Sequence, residues 1–94
     1  METNNRIWST RDLSLASALV TLRFRMTGID LQYTGDQNRP IGFFKFLDTA
    51  ELQETKDQFN QGLILVEPKQ FMTNMKSLKS EIINLQSNPH QNNQ

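Results

Sequence analysis

Ninety-four residues allow one small domain with a modest core, and an apolar fraction of 36% is low even for that. The chain has no cysteine, which argues against a disulfide-braced secreted scaffold and favours a reducing cytoplasm. A net charge of zero argues against attachment to nucleic acid by bulk electrostatics, and the longest apolar stretch is far short of a membrane span. The expectation is a soluble cytoplasmic protein with no membrane partner.

Asparagine and glutamine supply 18 residues, many of them at the two ends. The reading is an N-terminal segment over residues 1–8, one domain over 9–85 and a polar, disordered tail over 86–94. Charge is unevenly spread. Residues 1–47 carry six basic side chains against four acids, and the remainder carries four against six, giving +2 and −2. Five of the six early cations are arginines.

In chain order, "STRDLSLASALVTLR" opens with Ser9 as a helix cap and Asp12 three residues on, a capping-box spacing. Leu15, Leu19 and Leu22, with Ala16 and Val20, form a stripe at helical spacing, so a helix is expected from about Arg11 to Arg23. The small run Ala16–Ser17–Ala18 lets a neighbouring element approach closely. The period then changes. Ile29, Leu31 and Tyr33 alternate with polar residues, "TGDQNRP" is rich in turn formers, and "IGFFKFL" alternates again, which predicts an antiparallel hairpin. Phe44 and Phe46 share one face of its second strand and point into the core. Phe43, Lys45 and Leu47 share the other. That second face is either free to bind something or covered, if the first and last helices sandwich the sheet.

"DTAELQETKDQFNQG" predicts a surface helix capped by Asp48 and stopped by Gly62. "LILV" is too short for a helix and reads as a short buried strand. Pro68 suits a first helical turn. Beyond it Phe71, Met75, Leu78, Ile82 and Leu85 make a heptad-like stripe that packs on the protein's own sheet or on a second subunit. The fold expected is α+β, a three-stranded, mainly antiparallel sheet with three helices, in the order α-β-β-α-β-α.

Catalytic chemistry finds little support. The one histidine, His90, lies in the tail, and without cysteine there is no metal-ligand cluster. No histidine in the folded region could activate Ser9, Ser14 or Ser17, and the four glycines are too scattered for a phosphate loop. Glu51, Glu54 and Asp57 read as a solvated helix face. No catalytic residue, metal or cofactor is expected, and the chain does not read as an enzyme. What remains is aromatic and basic. Arg6, Arg11, Arg23, Arg25, Arg39 and Lys45 could meet phosphates while Tyr33 and Phe43 stack on bases, the combination that binds single-stranded DNA or RNA. The alternative is a protein–protein adaptor or homodimer, pairing through the last helix or through an exposed sheet edge that accepts a partner strand.

The succession Thr10–Leu19, Gly42–Leu47, Gly62–Pro68 and Phe71 through "SLKSEI" resembles a family of small bacterial and phage domains of unknown function. That family shows a "TRDLxLAAxL" helix, a hairpin with an aromatic second strand, and a final "F…LK" helix. The resemblance spans about residues 9–83 and implies the same fold, without an activity. The chain departs from the pattern after the first helix, where Arg23–Phe24 stands in place of glycine–histidine, and before the Gly62 turn, where Phe59 or Asn60 replaces the usual aromatic.

Overall fold

The computed structural model describes residues 6–33 and 40–87. Its elements are β1 (Ile7–Thr10), α1 (Leu13–Thr21), β2 (Met26–Gln32), β3 (Ile41–Leu47), α2 (Ala50–Asn60) and α3 (Pro68–Ser87). The expected α+β class, with three helices and a three-stranded antiparallel sheet, is what forms. β3 lies in the middle, flanked by β1 and β2 in the order β1-β3-β2. Arg39, Asp36 and residues 88–94, which include His90, lie outside the described residues, while Gln86 and Ser87, expected to begin the tail, are the last residues of α3.

The third strand comes from a different place than expected. Leu63–Val66 forms no strand, and Ile7–Thr10, where the sequence pattern suggests an N-terminal segment and a helix cap, pairs with β3. β3 has two edges only. β2 takes one through the hairpin and β1 takes the other, so no edge of the central strand is left for "LILV". The signal for β1 is its β-favouring Ile7, Trp8 and Thr10. Trp8 faces Phe46 across the ladder, with ring centroids 6.2 Å apart.

Forming β1 also moves the first helix boundary. Ser9 is a strand residue opposite Lys45, and Asp12 is the cap, its carboxylate accepting from the Leu15 N–H at 3.2 Å. α2 is capped by Thr49, in extended backbone, whose hydroxyl accepts from the Leu52 N–H at 3.0 Å. Asp48 instead accepts the side-chain amide of Gln53 at 2.9 Å. Pro68 opens α3 as expected, and the Glu67 carboxylate satisfies the N–H groups of Lys69 and Gln70 behind it.

The core lies on one side of the sheet. Phe44 and Phe46 are 1% and 0% exposed and meet Leu15 and Leu19 of α1, Leu52 of α2 and Leu78 of α3. All three helices therefore contribute to the same layer, and the sandwich alternative is not what forms. α3 packs chiefly along α1 rather than on the sheet. The buried small residues Ala16, Ser17 and Ala18 permit that approach. Ser17 satisfies its hydroxyl on the Leu13 carbonyl at 2.7 Å, and Asn74 of α3 donates to the Thr21 hydroxyl at 3.0 Å. Of the α3 stripe, Leu78 and Ile82 are used inside the monomer core, Phe71 and Met75 are half-buried, and Leu85 at its end is exposed.

Candidate interaction surfaces

Strand alternation sends Ile7, Ser9, Phe43, Lys45 and Leu47 away from the helices. Across the β2–β3 ladder Asp30 pairs with Phe43 and Gly28 with Lys45. This face carries one cation, Lys45, and one carboxylate, Asp30, beside polar Ser9 and the apolar Ile7, Phe43 and Leu47, and Ile7 and Leu47 are exposed. Phe43 is half-buried and stands apart from the core cluster. Its ring lies on the face that no helix covers.

The residues expected to bind nucleic acid do not converge on that face. Tyr33, 48% exposed, follows Ile29 and Leu31 in the alternation, opposite in sense to Phe43. Arg6 precedes β1, where its carbonyl accepts the Asp48 N–H at 2.9 Å. Arg11 sits in the β1–α1 connection, beside a hollow under α3. Arg23 and Arg25 line a groove of about 610 Å³ with Thr21, Gln70 and Asn74. Among the described residues, neither of these two arginines has an ion-pair partner. The structure therefore brings together two pairs, Phe43 with Lys45 and Arg23 with Arg25, and keeps the pairs apart.

A third surface was not legible as one. In Leu63–Val66 the side chains alternate, with Ile64 and Val66 half-buried while Leu63 is 63% and Leu65 91% exposed. After the Leu63 N–H, which donates to the Gln58 carbonyl at 2.9 Å, no backbone amide of residues 64–66 donates to a backbone carbonyl of the described residues. Four apolar residues thus run in a strand-like alternation without a ladder. The signal was visible as a strand pattern, but the missing neighbour was not.

Among the described residues no three histidine, cysteine or acidic side chains are placed to hold a metal ion, and no helix is long and apolar enough to cross a membrane. No protein-family model matches the chain, and comparison with curated proteins and with solved structures finds no match either.

Proposed function

We propose that this chain is a small non-catalytic interaction domain that pairs with a second copy of itself through Leu63–Val66. The supporting observation is the unpaired apolar alternation of that segment, with Leu65 almost fully exposed. Unpaired N–H and C=O groups beside apolar side chains are a template for another strand. Antiparallel pairing about a two-fold axis opposes residues of one face, and would set Leu63 against Leu65 and Ile64 against its own copy. It would also place each Glu67 opposite a Gln61, so that no like charges meet. The carboxylates fit a non-catalytic role: Glu51, Glu54 and Asp57 all lie on exposed helix surface. A cytoplasmic setting suits a chain without cysteine.

Sedimentation velocity over a range of concentrations tests this reading. The wild type is expected to move from monomer to dimer, and Leu65→Asp to remain monomeric with an unchanged melting temperature. A wild type that stays monomeric at every concentration removes the proposal.

The groove between Arg23 and Arg25 favours a second reading, contact with single-stranded nucleic acid. Its signature is anisotropy of labelled DNA or RNA that rises on binding and falls steeply between about 50 and 200 mM salt. It should be lost in Arg23→Ala/Arg25→Ala and retained in Leu65→Asp.

A further inference from the structure

A hollow of about 450 Å³ opens between the C-terminal half of α3 and the covered face of the sheet. Its apolar wall is Leu13 of α1, Gly42 and Phe44 of β3, and Ile82 of α3. Gly42 sets the spacing of the two layers here, since a Cβ on it would lie 2.5 Å from the Ile82 Cδ1. Two cations from separate elements reach the same hollow, Arg11 from the β1–α1 connection and Lys79 from α3. Among the described residues neither is in an ion pair. We infer that this hollow is a binding site for a small apolar carboxylate, such as a medium-chain fatty acid, with its chain against Leu13, Phe44 and Ile82 and its head group between Arg11 and Lys79.

Each half of such a ligand answers one half of the site. Apolar surface drives the chain out of water, and charge-assisted hydrogen bonds hold the carboxylate, in bidentate geometry where arginine takes part. A neutral alcohol of the same length would leave both cations uncompensated. A short carboxylate such as acetate would leave the apolar wall in water. The size falls within the range of small-molecule sites, which combine an apolar lining with a few convergent polar groups. This inference does not rest on self-association through Leu63–Val66.

The test is displacement of a dansyl-labelled fatty acid from the full chain, followed by fluorescence. Saturable binding is expected, displaced by decanoate and at least about tenfold less effectively by decanol or acetate. Arg11→Gln and Lys79→Gln change exposed side chains, so both variants should melt with the wild type while each weakens the probe by about tenfold. Arg23→Gln, on the other groove, should bind the probe normally. The proposal is overturned by an absence of saturable binding, by decanol displacing as well as decanoate, or by Arg11→Gln and Lys79→Gln binding like the wild type.

Discussion

α1 and α2 end in the same backbone turn, and the chain does opposite things after each. At the end of α1 the Arg23 N–H donates to the Val20 carbonyl and the Phe24 N–H to the Leu19 carbonyl, at 2.9 and 3.0 Å, with Arg23 at φ 77°. At the end of α2 the Gly62 N–H donates to Phe59 and the Leu63 N–H to Gln58, at 3.0 and 2.9 Å, with Gly62 at φ 76°. Both are Schellman caps, each followed by an apolar residue that can fold back on its helix. Phe24 packs against the core, and the strand after it pairs with β3. Leu63 is exposed, and the apolar run after it pairs with no strand among the described residues. Local residues decide the turn in both places, whereas a free sheet edge decides whether a strand follows.

Several substitutions sharpen or break that comparison. The largest effect on stability is expected at the first cap. Phe24→Ala should cost about 2 kcal/mol in chemical denaturation, because it removes a ring packed on the core. Gly62→Ala should cost about 1 kcal/mol. Nothing lies within 4 Å of the added methyl, so the penalty is the left-handed backbone alone. Arg23→Gly relieves the same penalty at the first cap and should raise stability by up to about 1 kcal/mol. A loss of stability there would mean that the arginine side chain contributes packing that outweighs its backbone strain. The smallest effect is expected from Leu63→Ala. Under dilute, monomeric conditions it should change stability by no more than about 0.5 kcal/mol, while weakening self-association. A Leu63→Ala cost equal to that of Phe24→Ala would erase the difference between the two connections.

Much of this architecture can be read from the residues. The Phe44–Phe46 face, the hairpin, the small-residue helix and the Pro68 start all rest on periodicity or backbone restriction, which act locally. The errors share a different cause. "IWST" and "LILV" both have strand character, and which of them joins the sheet depends on which reaches the free edge of β3, a non-local question. The first cap lies three residues later than expected because Ser9 is held in β1, and the second lies one residue later because Thr49 takes the cap beside Asp48. Alternation in "IGFFKFL" separates Phe43 from Phe44 and Phe46, and it does lie on the helix-free face. What the alternation could not reveal is that Arg23 and Arg25 gather on the other layer, beside α3.

Hydrogen exchange of the amides of Ile64, Leu65 and Val66, followed as protein concentration rises, tests the central claim most directly. Among the described residues these amides have no backbone acceptor, so they should exchange rapidly in dilute solution. If Leu63–Val66 pairs with a second copy, those of the three amides that point at the partner strand, alternate ones in an antiparallel ladder, should slow in step with dimer formation, with no such slowing in Leu65→Asp. Exchange that stays fast at every concentration would contradict a strand completed by a partner copy.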